Sequence, residues 1–194
     1  KELKNNEYQT KITFGKDFYN SKDACLKIGF DEYVEIENTV ENNNEGMISD
    51  EYLINLTIEA LENKKKGEKL FYMVETIQNH IPYTIDKYKN YDIEIKESEL
   101  DEVNNNTLLS YAQGIYESDK QLGRLYDYIK RYEEPTILIF LGDHLPYLYN
   151  EKGENVIDKL EYFNSQNELE NTFRKYNTQG LILSNYEVEY EETA

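Results

Sequence analysis

The sequence predicts a single α/β domain with parallel strands across residues 1–194. The apolar run Thr136–Leu141 is typical of a buried parallel strand, and Leu70–Ile77 is a second strand candidate upstream of it. A long helical pattern separates the two, and the order strand, crossover helix, strand places both strands parallel and adjacent or nearly so. The length suits one such domain with a full core, and no stretch resembles a linker between two domains.

The elements before this unit are short. Tyr8–Phe14 alternates weakly between apolar and polar residues, which predicts a strand. Ser21–Ile28 is amphipathic, which predicts a helix ended by Gly29. Asp31–Ile36 is a further short strand, and Glu41–Gly46, rich in Asn and Glu, is predicted to be a loop.

Two longer helices are predicted. Ser49 can cap a helix whose apolar positions recur at helical spacing until the Lys64–Gly67 run ends it. The second helix precedes Pro135 and presents one apolar face, formed by Leu108, Ala112, Ile115, Leu122, Leu125 and Ile129. Asp119 falls on that face, where a buried carboxylate must be paired, so a structural role is expected for it.

Four further segments complete the pattern. Thr84–Asn105 is polar and weakly patterned, which favours a surface excursion. Asn167–Tyr176 predicts a helix, and Gly180–Ser184 predicts a strand. The acidic stretch Glu187–Glu192 carries neither pattern.

Composition restricts the partners of the chain. The formal net charge of −18 lacks the basic footprint that phosphate backbones need, which excludes nucleic acid and anionic membrane surfaces as direct partners and favours divalent cations. Cys25 is the single cysteine, so an internal disulfide is impossible, and its surroundings indicate a small core residue. The sequence holds neither a signal peptide nor the roughly 18 apolar residues of a membrane span, so this portion is expected to be soluble.

Asp143 and His144 follow the apolar strand Thr136–Leu141 through Gly142. Ligands of open α/β sheets bind outside the carboxyl ends of the strands, so this pair stands where chemistry is expected. One hard oxygen and one borderline nitrogen donor are compatible with Mn²⁺ or Zn²⁺ and less suited to Ca²⁺. Two ligands are too few for a metal site, so either others come from elsewhere in the fold or the pair is a turn-capping Asp beside a surface His.

His80 lies just past the predicted strand Leu70–Ile77, where Pro82 forbids continuation of a central strand. The predicted βαβ unit brings the carboxyl ends of both strands to the same end of the sheet, and His80 thereby to Asp143 and His144. His80 and His144 are the only two histidines in the chain. The alternative is that His80 is a hydrogen-bonded structural residue near a turn.

Three spaced motifs occur in order along the chain. They are Phe-Tyr-Met-Val-Glu-Thr-Ile-Gln-Asn-His80-Ile-Pro-Tyr, Tyr111-Ala-Gln-Gly-Ile-Tyr-Glu-Ser-Asp119-Lys-Gln-Leu-Gly123 and Ile-Phe-Leu-Gly-Asp143-His144-Leu-Pro. Together with Gly15–Ile36, which includes Phe18-Tyr19-Asn20, they resemble the sulfatase-like catalytic domain of lipoteichoic acid synthases and phosphoglycerol transferases, in the alkaline phosphatase superfamily. The resemblance covers nearly the whole chain. It implies a three-layer sandwich with a mainly parallel sheet, alkaline phosphatase/sulfatase-like and incomplete at its amino-terminal side.

The resemblance also implies roles for the candidate residues. Asp143 and His144 would be two ligands of one divalent ion, Mn²⁺ or Mg²⁺ in preference to Zn²⁺, and His80 would contact the phosphoryl oxygens of the substrate. The family's remaining ligands, a Glu and a Thr that is also the nucleophile, lie upstream of the matched region. Neither Thr13 nor Thr76 has the context of that nucleophile, so no catalytic residue is assigned within this chain, which is expected to be inactive alone and to hold metal weakly or not at all.

The substrate implied is a phosphodiester, either a phospholipid headgroup or a glycopolymer, handled outside the cytoplasm by a domain that a missing amino-terminal region tethers to the membrane. The family's aromatic-Asn-Arg triplet appears here as Tyr19-Asn20-Ser21, so its bidentate phosphate clamp is missing.

Two alternatives remain open. One is a non-catalytic acidic binding domain that keeps the fold, and the other is a true sulfatase, which requires an upstream Cys or Ser for formylglycine formation. Upstream sequence separates them, because a Thr or Ser that opens a helix after a strand ending in Glu favours the enzyme.

Overall fold

A computed structural model describes residues 2–16, 21–36 and 46–188, and their arrangement confirms the predicted α/β class. The strands and helices are α1 (Glu2–Asn5), β1 (Tyr8–Phe14), α2 (Ser21–Ile28), β2 (Glu32–Tyr33), α3 (Asp50–Asn63), β3 (Lys69–Glu75), α4 (Glu102–Ile129), β4 (Ile137–Leu141), α5 (Val156–Lys159), α6 (Glu168–Tyr176) and β5 (Gly180–Ser184). A short 3₁₀ helix, Ile85–Lys87, lies between β3 and α4. None of the described helices combines the length and apolar character that a membrane crossing demands.

Some predicted features lie outside the described residues. The Phe18-Tyr19-Asn20 segment and all but the last residue of the predicted loop Glu41–Gly46 belong to this group, as does most of the Glu187–Glu192 stretch.

β1 is the centre of a parallel sheet with the strand order β2–β1–β3. It pairs with β3 along its whole length, from Tyr8 opposite Lys69 to Phe14 opposite Glu75. The predicted strand is therefore confirmed, and its pairing on both sides makes it the central strand of this sheet.

Helices cover both faces of this sheet. Phe71 of β3 contacts Phe30, which follows α2, with ring centroids 6.2 Å apart. Val74 of the same strand packs against a cluster that includes Leu53 of α3. Side chains three positions apart on a strand point to opposite faces, so α2 and α3 lie on opposite sides of the sheet, as a three-layer sandwich requires.

Two helix boundaries predicted from single residues are confirmed. The side chain of Ser49 accepts a hydrogen bond from the backbone N–H of Tyr52 at 3.2 Å and caps α3. At the end of α2, Gly29 has a φ of +118° and its N–H donates to the carbonyl of Cys25 at 3.2 Å. Cys25 itself is buried, as expected for a core residue.

β4 differs from its prediction in both partner and burial. Within the described residues it pairs antiparallel with β5 and belongs to a different sheet from β3. Leu138 packs against a cluster formed by α3 and α4. On the other face, Ile137, Ile139 and Leu141 are 46, 58 and 70% exposed. The apolar run thus identified a strand correctly, but the described residues do not bury it on both faces.

The buried face of α4 is offset from the predicted one and is largely polar. Asp119, expected to be buried, is exposed. The buried polar positions are Asn104, Thr107, Ser110, Gln113 and Gln121. Gln113 Oε1 accepts the N–H of Asp92 at 2.9 Å, and Asn104 Oδ1 accepts from Asn150 Nδ2 at 2.9 Å. This half of α4 packs against loops, whose backbone polar groups need partners that an apolar face cannot supply.

Candidate metal and substrate site

The turn after β4 carries Asp143 and His144 and is fixed to the start of β5. The N–H of Gly142 donates to the carbonyl of Gln179 at 3.0 Å, and the hydroxyl of Thr178 donates to the carbonyl of Gly142 at 2.7 Å. The antiparallel neighbour therefore sets the direction in which the next two residues leave the strand.

The side chains of Asp143 and His144 converge. His144 Nε2 lies 3.3 Å from Asp143 Oδ2, and His144 Nδ1 lies 2.7 Å from the carbonyl oxygen of Leu145. A carbonyl oxygen only accepts, so Nδ1 carries a hydrogen, and Nε2 of the neutral ring is then an acceptor as well. Two acceptors that face each other at this distance repel unless a proton or a metal cation lies between them. The two side chains are 86 and 53% exposed, so a cation can reach them from solvent.

The donor set of this pair fits a divalent ion in kind but not in number. A carboxylate oxygen and an imidazole nitrogen, with the second ring nitrogen held by a carbonyl, are the donors that Mn²⁺ and Zn²⁺ accept in proteins. Across residues 2–16, 21–36 and 46–188, however, no group of three His, Cys, Asp or Glu side chains is clustered as a metal site. Asp143 and His144 therefore form part of a site at most.

Glu75 is an acidic residue of this region that sequence reasoning missed. Burial raises the pKa of the Glu75 carboxyl, and the nearby Asp143 carboxylate raises it further. The effect of Asp143 on Glu75 is consistent with the carboxyl ends of β3 and β4 lying near each other, although the two strands are not paired. The signal was present in the sequence, because Glu75 closes one apolar strand in the way that Asp143 follows the other.

The loop after β3 carries His80 to the same end of the molecule. Burial raises the pKa of the Tyr83 hydroxyl, and the neighbouring Tyr111 and Asp143 raise it further. Tyr83 also packs in one buried cluster with Leu148, which follows His144 in the chain, so the His80 loop lies against the segment after β4. His80 is exposed, and its Nδ1 lies 3.0 Å from the carbonyl oxygen of Ile81.

A buried lysine side chain holds the backbone of the loop that carries His80. Lys87 is fully buried, and its ammonium donates to the carbonyls of His80 and Pro82, the latter at 3.2 Å. The ammonium also lies 4.9 Å from the ring centroid of Tyr83, whose hydroxyl donates to the carbonyl of Asn79 at 3.0 Å. Charged hydrogen bonds of this kind are among the stronger ones in proteins, so the backbone under His80 is held in place while its imidazole faces solvent.

A second buried polar group lies next to this loop. Asp50, at the start of α3, is 3% exposed, and its N–H donates to Gln78 Oε1 at 2.8 Å. Its Oδ2 accepts from the hydroxyl of Ser118 at 2.5 Å. Burial raises the pKa of the Asp50 carboxyl, the bonds from Ser118 and Gln78 oppose that shift, and Glu117 adds to it.

Thr13 does not have the surroundings of a nucleophile. It is fully buried in β1, and its hydroxyl donates to the carbonyl of Val34 at 2.7 Å. The hydroxyl therefore ties β1 to the segment that follows β2 at the edge of the sheet.

An acid and an imidazole at the carboxyl end of a strand, near a loop with a second imidazole, define an α/β domain with a candidate metal-dependent centre. The chain belongs to the sulfatase family, whose model, described as Sulfatase, matches residues 2–188. This match and the solved structures below confirm the resemblance seen in the three sequence motifs.

Solved structures of similar fold include a phosphoglycerol transferase, a lipoteichoic acid synthase and an alkaline phosphatase superfamily protein. The phosphoglycerol transferase GacH of Streptococcus pyogenes, in complex with sn-glycerol-1-phosphate, is 25% identical with a TM-score of 0.69, over 96% of this chain and 46% of that one. The lipoteichoic acid synthase LtaP of Listeria monocytogenes is 22% identical with a TM-score of 0.61, over 93% of this chain and 44% of that one, and shows the fold alone. An alkaline phosphatase superfamily protein of Vibrio parahaemolyticus is 28% identical with a TM-score of 0.61, over 94 and 40%.

A curated relative in Rhizobium meliloti, described as "Putative cyclic beta-1,2-glucan modification protein", is 34% identical over 131 residues, which is 66% of this chain and 20% of the relative. The chain therefore spans less than half of these solved chains and about a fifth of this relative. Its α/β fold is incomplete relative to them.

Proposed function

We propose that this chain is the later portion of a metal-dependent, sulfatase-like catalytic domain that transfers or hydrolyses phosphoglycerol-type or related phosphodiesters at the cell envelope. The observation that carries the proposal is the convergence of a carboxylate and an imidazole at the end of β4, with His144 Nε2 3.3 Å from Asp143 Oδ2. Membership of the sulfatase family and the similarity to a phosphoglycerol transferase support the reaction class.

Asp143 and His144 would hold a Mn²⁺ or Mg²⁺ ion in this proposal. Such an ion, when bound, neutralises charge on phosphoryl oxygens and lowers the pKa of a hydroxyl nucleophile. The carbonyl of Leu145 keeps His144 in the tautomer that binds a cation through Nε2. The remaining ligands and the threonine nucleophile would come from parts of the protein outside these 194 residues.

His80 would contact a phosphoryl oxygen of the substrate. His80 is exposed on a loop whose backbone Lys87 holds in place, and an imidazole at such a position suits an anionic phosphodiester. The described arginines, Arg124, Arg131 and Arg174, bond to Asn55, Asp127 and Glu170, so this assignment gives the contact with the phosphoryl group to His80.

An extracytoplasmic location with an amino-terminal membrane tether belongs to the same proposal. It is supported by the similarity in fold to the periplasmic domain of the Escherichia coli protein EcEptC, which was solved in complex with Zn and is 16% identical over 93% of this chain.

Calorimetric titration of the 194-residue chain with Mn²⁺ tests the metal assignment. We expect binding near the millimolar range, where the whole free energy is only about 4 kcal/mol, because two donors are present rather than a full set. Asp143→Asn and His144→Ala should abolish that binding, whereas His80→Ala, the matched imidazole control, should leave it unchanged. A sub-micromolar affinity, or equal binding by His144→Ala, would contradict the assignment.

Turnover of a chromogenic phosphodiester by the complete protein tests the reaction. We expect His144→Ala and His80→Ala each to remove activity in the complete protein, and we expect the 194-residue chain alone to show none. Turnover by the 194-residue chain would refute the placement of the nucleophile elsewhere. A complete protein that binds Mn²⁺ but never turns over phosphodiesters would favour the non-catalytic binding domain.

A further inference from the structure

Tyr147 follows His144 by three positions, and its ring lies against the His144 imidazole. The two ring centroids are 5.4 Å apart, and the ring planes are tilted by 48°. Tyr147 is 60% exposed, so burial in a core does not account for the position of its ring. The ring therefore contributes more to the surroundings of His144 than to the core of the fold.

The imidazole of His144 is held at its edge and is otherwise open to solvent. Its Nδ1 lies 2.7 Å from the carbonyl oxygen of Leu145, and its Nε2 lies 3.3 Å from Asp143 Oδ2. The side chain is 53% exposed, and rotation of an imidazole about χ2 is only weakly restricted by its own bonds. A second ring in contact with the imidazole restricts that rotation further.

The backbone around Tyr147 holds its ring in this place. Pro146 fixes its own φ and restricts the residue before it to extended conformations. Leu148, on the other side, is 3% exposed and packs in a buried apolar cluster. The carbonyl of Tyr147 accepts the N–H of Tyr149 at 2.8 Å. The ring thus leaves a segment that is fixed on both sides, which lowers the entropic cost of keeping it against His144.

We propose that Tyr147 is a positioning residue for the metal ligand His144. The proposal rests on the proposed function, because His144 is a ligand only if a cation binds beside Asp143. The ring limits the imidazole to orientations in which Nε2 faces Asp143, so less rotational freedom is lost when a divalent cation binds. An imidazole that binds such a cation gains positive charge, which an aromatic ring attracts. The tyrosine hydroxyl has no part in this role.

Nuclear magnetic resonance of the 194-residue chain without metal tests the ring contact. His80 and His144 are the only histidines, so the imidazole C–H signals form two sets, which His144→Ala assigns. We expect nuclear Overhauser effects between the Tyr147 ring and the His144 ring, and none between the Tyr147 ring and His80. The absence of the effect to His144 would overturn the proposal.

Titration with Mn²⁺, read as the broadening of the His144 signals, tests the consequence for metal binding. Tyr147→Ala should bind Mn²⁺ about three- to tenfold more weakly than the unchanged chain, which is the scale of one aromatic contact and one freed side chain. Tyr147→Phe keeps the ring and should bind as the unchanged chain does. Tyr149→Ala is the matched control, because Tyr149 is 53% exposed on the same segment, and it should also leave the affinity unchanged.

Two results would overturn the proposal and leave the metal assignment intact. They are equal Mn²⁺ affinity of Tyr147→Ala and the unchanged chain, and a loss in Tyr147→Phe as large as that in Tyr147→Ala. No broadening of the His144 signals in the unchanged chain would overturn the metal assignment together with this proposal. Urea unfolding should give equal stabilities for all variants, and Tyr147→Leu, which has no ring, gives a second measurement and should bind more weakly than Tyr147→Phe.

Discussion

Two glycines of α4 should respond in opposite ways to the same substitution. Replacing Gly by Ala in a helix interior stabilises it by about 1 kcal/mol where the new methyl group meets nothing. At Gly123 an added Cβ has no heavy atom within 4 Å. At Gly114 it would lie 2.0 Å from Oδ1 of Asn79, 2.2 Å from its Cγ and 2.7 Å from the hydroxyl oxygen of Tyr88.

The cost at Gly114 comes from Asn79, which cannot move freely. Its Nδ2 donates to the carbonyl of Tyr111 at 3.3 Å, and losing that bond costs about 1 kcal/mol. Overpacking at a filled position adds about 1–3 kcal/mol. After the helix gain of about 1 kcal/mol is subtracted, Gly114→Ala should destabilise the fold by about 1–3 kcal/mol, whereas Gly123→Ala should stabilise it by about 1 kcal/mol.

Urea unfolding followed by far-ultraviolet circular dichroism measures both variants, since the chain has no Trp to report by fluorescence. Equal stabilisation by Gly114→Ala and Gly123→Ala would refute the reasoning, because it would mean that the Asn79 side chain does not pack against α4. In the complete protein, Gly114→Ala should also lower phosphodiester turnover, because Asn79 precedes His80 in the loop.

Two further substitutions test polar groups, one buried and one partly buried. Because the pKa of the Asp50 carboxyl is raised in the folded protein, the folded state binds its proton more tightly than the unfolded state does. The stability that the protonated carboxyl contributes is fully present below the unfolded pKa and is lost as the pH rises through the folded pKa. Asp50→Asn should therefore match the unchanged chain near pH 4 and exceed it in stability near pH 7, measured by urea unfolding, and a pH-independent difference would contradict this. Asn185 Nδ2 contacts the carbonyls of residues 129, 132 and 134 at 3.1, 2.9 and 2.9 Å. Its Oδ1 accepts the N–H of residue 136 at 2.8 Å. Because Asn185→Ala removes all of these partners, it should lower the free energy of unfolding by about 2–4 kcal/mol in the same assay. A cost below about 1 kcal/mol would show that these backbone groups find other partners.

Local signals located most elements of the fold. Ser49 and Gly29 mark helix ends because their effect is local, through a side-chain cap and a positive φ. The strands Tyr8–Phe14 and Gly180–Ser184 have the predicted bounds. The partner of β4 was not predictable in this way, because pairing depends on which strands are close in space and not on the composition of one strand.

The buried face of α4 could not be predicted from the spacing of its apolar residues, for a different reason. An apolar stripe predicts the buried face only when the helix packs on other apolar surfaces. Gln113 and Asn104 are buried because they satisfy loop backbone and the Asn150 amide, which no periodicity encodes. The loops packed against α4 therefore determine which face of the helix is buried, and Asp119 lies on the exposed face.

The candidate site was predictable in its residue types and only in part in its arrangement. Asp143 and His144 are adjacent in sequence, so their convergence needed little beyond a strand end. The approach of Glu75 and of the His80 loop to Asp143 depends on two strands that share helices but no hydrogen bonds, which sequence order alone does not reveal.

The exposed face of β4 and the two proposed metal donors lie on the same strand and at its end. Ile139 pairs with Ile182 of β5, and these side chains are 58 and 66% exposed, which makes an apolar surface of a kind that folded proteins rarely leave uncovered. The same strand ends in Asp143 and His144, which supply two donors where a metal site needs at least three. The solved transferase that this chain matches over 46% of its length is more than twice as long. Under the proposed function, residues outside this chain would cover the apolar face of β4 and supply the remaining metal ligands at its end.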